Sequence, residues 1–144
     1  MKLIKLLEGI EYSVTCGNSS EKIDPQSVEI KNVVNDNRKI EEGSLFICIK
    51  GANFDGHSAS VEAAQKKAGA IVVESDIELP EGCTVPVVRV KDTRYAMAFI
   101  SAAYFDHPAS KLKTIGITGT KGKTTTTYLI RSMLENAGHK VCLI

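Results

Sequence analysis

A chain of 144 residues with 18 basic and 17 acidic side chains has room for one sizeable domain and little left for a second. Its formal charge of +1, with no basic cluster, argues against nucleic acid or an anionic membrane as partner. With no tryptophan and 6% aromatic residues it also lacks the makings of a base-stacking platform. Cys16, Cys48, Cys83 and Cys142 show no C-x-x-C spacing and no histidine at ligand distance, and three lie in apolar strand-like contexts, so they read as buried free thiols of a reducing cytosol rather than zinc ligands.

In the first twelve residues, MKLIKLLEGIEY, Lys5 and Glu8 break the apolar run, and Leu3, Leu6, Leu7 and Ile10 share one helical face. The stretch predicts an amphipathic first helix, not an export signal. No segment approaches membrane-spanning length, so no membrane insertion is expected. Residues 13–16 fit a short strand, 17–26 a polar loop and 28–34 a second strand, followed by the turn cluster Asn35-Asp36-Asn37-Arg38. Residues 45–49 are a continuous apolar run of buried-strand type. After the loop 51–57, GANFDGH, a helix is expected from Ser58 or Ser60, with Val61, Ala64 and Ala68 inward and Gly69 closing it. Residues 70–74 (AIVVE) and 85–90 (VPVVRV) read as strands. Asp92 is a suitable N-cap for a helix whose inward stripe would be Tyr95, Ala98, Phe99, Ala102 and Ala103. Strands alternating with helices give an α/β fold with a mostly parallel sheet.

Asp106-His107-Pro108-Ala109-Ser110-Lys111 is polar and stops the helix, and it reads as a hinge between a first domain, 1–107, and a second piece, 108–144. Leu112, Ile115 and Ile117 suggest a buried strand. Gly116, Gly119 and Gly122 follow, and Lys123 opens a helix with Ile130, Met133, Leu134 and Ala137 inward, closed by Gly138 before a new strand at 141–144. A Gly-rich turn between strand and helix, with lysine and threonine at the helix start, is the layout of a phosphate-binding loop. Glycines let backbone N–H groups turn inward, and the helix offers unpaired donors and its positive end to an anion. Gly119, Thr120, Lys121, Gly122, Lys123, Thr124 and Thr125 are the expected ATP-binding residues, with the Thr124 hydroxyl suited to Mg²⁺. The pattern G-x-x-x-x-G-K-[ST] wants glycine where Ile117 stands, one place after Gly116, and a Gly-rich turn without a ligand remains the alternative. Four consecutive threonines are poor helix formers, each costing about 0.5 kcal/mol against alanine, so at a first turn their hydroxyls are better used on backbone donors, phosphate or metal. A lone β-loop-α-β unit of roughly 35 residues lacks the layers that cover a parallel sheet, which suggests the front end of a longer protein.

Taken in order, NDNR at 35–38, GSLFICIKGANFDGHS at 43–58, AAQKKAGAIVVE at 63–74 and HPASKLKTIGITGTKGKTTTTYLI at 107–130 resemble the N-terminal part of a Mur ligase. The resemblance runs from about Val28 to the end. Within the family it is strongest to the member that adds the third residue of the peptidoglycan peptide stem, and the sister that adds D-alanyl-D-alanine has a similar DGH loop. It implies a UDP-substrate domain followed by the first β-loop-α-β of a P-loop ATPase domain. It also implies ATP and Mg²⁺ as cofactors, a UDP-N-acetylmuramoyl dipeptide and an amino acid as substrates, a cytoplasmic location and a monomer. ATP would convert the dipeptide carboxylate to an acyl phosphate, which the incoming amine attacks. The family's UDP contacts fall here on Asn35, Asn37, Ala52, Asn53, Phe54 and Asp55. Asn37 replaces the usual serine and Lys121 the usual asparagine.

Other roles stay open. Asp36 and Arg38 are equally well a turn residue and an ion pair, and Asn53 and Asp55 an Asx turn ahead of the helix. His57 reads as a structural loop histidine and His107 as exposed hinge. No paired carboxylates suggest acid–base chemistry, so no catalytic residue is expected in this stretch. A non-catalytic nucleotide-binding module is the competing function, and on the ligase reading this chain by itself is expected to be inactive.

Overall fold

Residues 44–47 (SLFI) and 70–73 (AIVV) have no polar face, so strands made from them need cover on both sides. The computed structural model, which describes residues 1–52 and 54–144, supplies it in the first of two compact units, Met1–Pro108. Five strands, β1 (Tyr12–Cys16), β2 (Asn32–Val34), β3 (Ser44–Ile47), β4 (Ala70–Val73) and β5 (Pro86–Val90), form one sheet in the order β1-β5-β4-β3-β2. β2 to β5 run parallel, and only the edge strand β1 is antiparallel to its neighbour β5, with Val14 opposite Val88. The sheet is thus mostly parallel, as the alternation of elements predicted.

The register stacks Phe46 on Ile71 and Ile71 on Val87 along one face, and Leu45 on Ala70 and Ile47 on Val72 along the other. The first row is covered by Ile40, Leu79 and the alanines Ala59, Ala63 and Ala68, which surround helix α2 (Ser60–Gln65). The second is covered by Leu3, Leu6 and Leu7 around the short helix α1 (Leu3–Leu6) and by Ala96 and Ile100 of α3 (Thr93–Tyr104). All four residues of β3 and of β4 are buried.

Several local expectations shift. The first helix is four residues long, because Gly9 (φ +79°) turns the chain toward β1 with Phe99 packed against its Cα. In α2 the inward positions are Ser60 and Ala63. Val61 is 38% exposed, since alanine-rich helices carry little phase information. The helix ends at Lys66. Lys67 takes the left-handed conformation (φ 55°), and Ala68 N–H donates to the Ala63 carbonyl, a Schellman ending. Gly69 is needed for a different reason. A Cβ there would lie 2.9 Å from the Gly43 carbonyl oxygen and 3.0 Å from Ile30 Cδ1. Asp92 caps α3 by accepting from Tyr95 N–H, as predicted, but the buried stripe is Thr93, Ala96 and Ile100. Tyr95 and Ala98 are exposed. Tyr95 instead stacks on Phe99, with ring centroids 4.7 Å apart, outside the core. α3 ends in a second Schellman turn, with Asp106 (φ 59°) in the left-handed place and His107 N–H donating to the Ala102 carbonyl at 2.7 Å.

The second unit, Ala109–Ile144, holds one regular helix past the short turn Pro108–Lys111, namely α4 (Lys123–Asn136). The strands predicted from Leu112, Ile115 and Ile117 and from 141–144 are absent as strands. Both segments are irregular, with Leu112 and Ile115 exposed, because a parallel strand needs neighbours to satisfy its backbone. The half-buried positions of α4 are Thr127, Ile130, Arg131 and Leu134. Met133 and Ala137, expected inward, are exposed. Gly138 (φ 85°) closes the helix as predicted, with His139 N–H on the Leu134 carbonyl. Among the described residues no helix is long and apolar enough to cross a membrane.

The revised phases are testable. Ile71→Ala removes a fully buried side chain between two strands and should cost about 2–5 kcal/mol in urea denaturation. Val61→Ala should stay within about 0.5 kcal/mol of the parent. Comparable losses from the two would contradict the placement of α2.

Candidate functional site

Parallel strands end on the same edge, so the loops after β2, β3, β4 and β5 gather along one rim of the sheet, where α/β folds place ligands. Of the sequence-predicted contacts, Ala52, Phe54 and Asp55 lie in the loop after β3 or its flank, and Asn35 and Asn37 in the loop after β2. Asn53 lies outside the described residues. Ala52 and Phe54 are exposed on the rim.

The β2 loop is built by its own side chains. Asp36 caps the 3₁₀ turn Asn37–Lys39 by accepting from Arg38 N–H at 3.0 Å, and takes the Arg38 guanidinium on both carboxylate oxygens, at 2.9 and 2.7 Å. These hydrogen bonds, from the side chain first and then the backbone, hold the Asp36 carboxyl down at about 2. Asp36 and Arg38 are therefore both turn and ion pair. Asn37 is committed from two sides. Its Nδ2 donates to Glu62 Oε2 at 2.9 Å, and its carbonyl accepts from Lys66 Nζ at 3.1 Å. Glu62 and Lys66 are themselves an i,i+4 ion pair on α2, 2.8 Å apart. Asn35 is exposed, with its Nδ2 3.6 Å from Met97 Sδ.

Across the rim, Asp55 caps the turn Gly56–Ala59 through His57 N–H (3.0 Å) and also faces His57 Nδ1 at 2.6 Å. The other ring nitrogen, Nε2, accepts from Glu74 N–H at the end of β4, at 3.2 Å. With Nε2 accepting, the network assigns the proton of the neutral ring to Nδ1, where it is donated to Asp55. Glu74 continues the chain of contacts, its Oε2 accepting from Thr93 N–H (2.7 Å) and Thr93 Oγ1 (2.8 Å) at the start of α3. The Asp55 carboxyl is lowered chiefly by the backbone N–H of His57, and the Glu74 carboxyl chiefly by that of Thr93. Gly56 is needed here because a Cβ would meet Ile49 N at 2.7 Å. The histidine is thus structural, as its sequence setting suggested. The reach of its ring across two loops was not legible, since Glu74 is 17 residues away. Of the thiols expected to be buried only Cys48 is, Cys16 and Cys83 being half-buried and Cys142 exposed, and burial before the nearby Asp55 charge pushes the Cys48 thiol up to about 12.

In the second unit the predicted phosphate loop, Gly119 to Thr125, meets α4 at Gly122, whose left-handed conformation (φ 77°, ψ −3°) caps the helix without a side chain. The first intrahelical bond is Thr126 N–H to the Gly122 carbonyl at 2.9 Å, so the N–H groups of Lys123, Thr124 and Thr125 have no intrahelical acceptor. Lys123 curls back, and its Nζ donates to the Gly119 carbonyl at 2.5 Å, bringing its charge to the opening of the loop. Thr127 bonds the Lys123 carbonyl through Oγ1, which accounts for the last of the threonines locally. Unpaired amides, a helix N-terminus and an ammonium converge in one short segment, which chemically suits a polyphosphate. Among the described residues no three His, Cys, Asp or Glu side chains gather to hold a metal.

Comparison with known proteins adds a direct line of identification. The Mur ligase family, catalytic domain, matches residues 29–105, and the Mur ligase middle domain matches 117–144. The chain is 44% identical over 144 residues to the UDP-N-acetylmuramoyl-L-alanyl-D-glutamate--2,6-diaminopimelate ligase of Clostridium perfringens, and 45% identical to ligase 1 of that name from Clostridium acetobutylicum. All of the chain is covered in both cases, and it spans about 28% of the length of these curated relatives. Among solved structures it is similar to MurF from Acinetobacter baumannii, with TM-score 0.62 and 26% identity over 94% of this chain and 27% of that one.

One consequence of the β2 loop concerns pH. Because the Asp36 carboxyl is lowered from 3.8 to about 2 in the fold, the stabilisation it lends the loop is fully present above pH ~4 and is lost as pH falls through about 2. A carboxyl ¹³C titration should find Asp36 near 2, and Arg38→Ala should return it toward the ordinary carboxylate range. An unshifted Asp36 in the parent would refute the bidentate pairing.

Proposed function

The chain belongs to the Mur ligase family, and from that premise we propose that it is the N-terminal portion of an ATP-dependent ligase that joins diaminopimelate to UDP-N-acetylmuramoyl-L-alanyl-D-glutamate. The single observation that carries the proposal is the end-to-end similarity to ligases of that name, 44% and 45% identical without loss of any part of this chain. The MurF structures share the fold at 26% identity, so the fold alone does not choose between the sister activities.

On this reading residues 1–107 form the UDP-substrate domain and 108–144 open the central ATP-binding domain. Asn35, Asn37, Ala52, Asn53, Phe54 and Asp55 contact the UDP end of the substrate. The segment from Gly119 to Thr125 holds the ATP phosphates. Its amides and Lys123 spread the negative charge that builds as the γ-phosphoryl passes to the substrate carboxylate. The Thr124 hydroxyl is the ligand this chain would offer to Mg²⁺, which would supply further positive charge beside the phosphates. The acyl phosphate is then attacked by the amine of the amino acid, releasing phosphate and leaving an amide. The enzyme would act in the cytoplasm as a monomer.

The test is an assay of ADP release by the full-length protein with the UDP-dipeptide and either diaminopimelate or lysine. Turnover is expected with diaminopimelate, and Lys123→Ala should lower kcat at least about 100-fold. The 144-residue chain alone should show no turnover and at best weak calorimetric binding of the UDP ligand. Turnover with lysine and not with diaminopimelate, or none with either amino acid, would overturn the assignment.

A further inference from the structure

The two loops that the proposed function assigns to the UDP end of the substrate leave the neighbouring parallel strands β2 and β3, whose pairing sets where each loop begins but not where its contact residues lie beyond the strand end. One short stretch of chain touches both. At its start, His57 holds the β3 loop through Asp55 (2.6 Å) and ties it to the end of β4 through Glu74 N–H (3.2 Å). One and a half helical turns later, Glu62 and Lys66 hold the β2 loop through the side chain and the carbonyl of Asn37 (2.9 and 3.1 Å). His57 is 8% exposed with both ring nitrogens used, so its ring has no freedom to rotate without losing a bond. Glu62 accepts only, so the Asn37 amide is settled with Nδ2 toward α2, which leaves Oδ1 as the acceptor end of that side chain.

From this juxtaposition we infer that His57 and Glu62 are positioning residues for substrate, a two-point clamp on the stretch Gly56–Lys66 that sets the spacing of the two UDP-binding loops. Neither touches the reacting atoms. Each acts through a loop residue, Asp55 for His57 and Asn37 for Glu62. The inference rests on the proposed substrate and goes beyond it by naming what holds its contacts in place. A clamp of this kind pre-organises binding rather than chemistry, so its loss appears in affinity for one substrate only.

The experiment is steady-state kinetics of the full-length ligase with the UDP-dipeptide and ATP varied in turn, alongside melting temperatures. Glu62→Leu and His57→Leu are expected to raise KM for the UDP-dipeptide on the order of ten-fold, with kcat and KM for ATP within about two-fold. Glu62→Gln keeps an acceptor for Asn37 and His57→Asn keeps a donor for Asp55, and each should recover most of the loss. Because His57 is buried, His57→Leu can fail to fold. The Glu62 variants, at a half-exposed side chain, carry the test in that event. A KM for the UDP-dipeptide unchanged in both Glu62 variants, or a fall confined to kcat, overturns the clamp while leaving the ligase assignment intact. No saturable dependence on the UDP-dipeptide in the parent enzyme overturns the assignment itself, and the clamp with it.

Discussion

Everything in the first unit follows from burying both faces of a parallel four-strand array. The row Phe46, Ile71, Val87 on one face and Leu45, Ile47, Val72, Val88 on the other are inaccessible to solvent, or nearly so. Apolar burial of this extent is worth roughly 1.5–3 kcal/mol per large side chain, far more than any single polar contact at the rim. Because the strands are parallel, that same packing places four chain exits on one edge. The candidate site loops are there as a by-product of how the core is closed. β1, antiparallel at the end of the order, extends the sheet without adding an exit to that rim.

The rim is then stiffened by polar groups that work locally. Asp36, Asp55 and Asp92 each cap the turn that follows, accepting from an N–H two or three residues ahead. Two of these carboxylates, Asp36 and Asp55, together with Glu74 and Glu62, are held below their ordinary range by such hydrogen bonds, so all four stay charged through neutral pH. The loop before α4 uses the opposite device. Its donors are backbone amides that the helix cannot pair, and the ammonium of Lys123 is held at its mouth by the Gly119 carbonyl. A rim of ordered acceptors and a loop of unpaired donors are different chemistries, the second of which suits an anion.

Much of this was legible in the sequence where residue types leave one physical solution. The apolar runs at 45–47 and 70–73 have no polar face to turn outward, and Asp92 precedes a helix with no better cap available. The inward face of α1, with Leu3, Leu6 and Leu7, was legible, but the phases of α2 and α3 were not. In α2 the candidates are alanines and a valine whose burial differs little in free energy, and the choice of Ala63 over Val61 follows from how the helix meets Phe46 and Ile71. In α3 the aromatic pair Tyr95 and Phe99 outweighs Ile100 in any periodicity count, yet the sheet surface accommodates the smaller stripe. The apolar residues at 112–117 carry a strand pattern without a partner to pair with, and pattern alone does not make a ladder.

The sequence by itself determined the α/β class, the order of the strands along the chain, the Gly-rich turn into a threonine-rich helix and the family to which these belong. Each is a property of near neighbours or of a motif, and the chemistry of a few consecutive residues is enough to specify it. Only the tertiary structure decided that His57 bridges two strand ends, that Glu62 and Lys66 seize Asn37, and which helix faces turn inward. The hydrogen bonds among them join residues 17 to 29 positions apart. Their formation depends on where the closed core sets each strand, and local propensity holds no record of it.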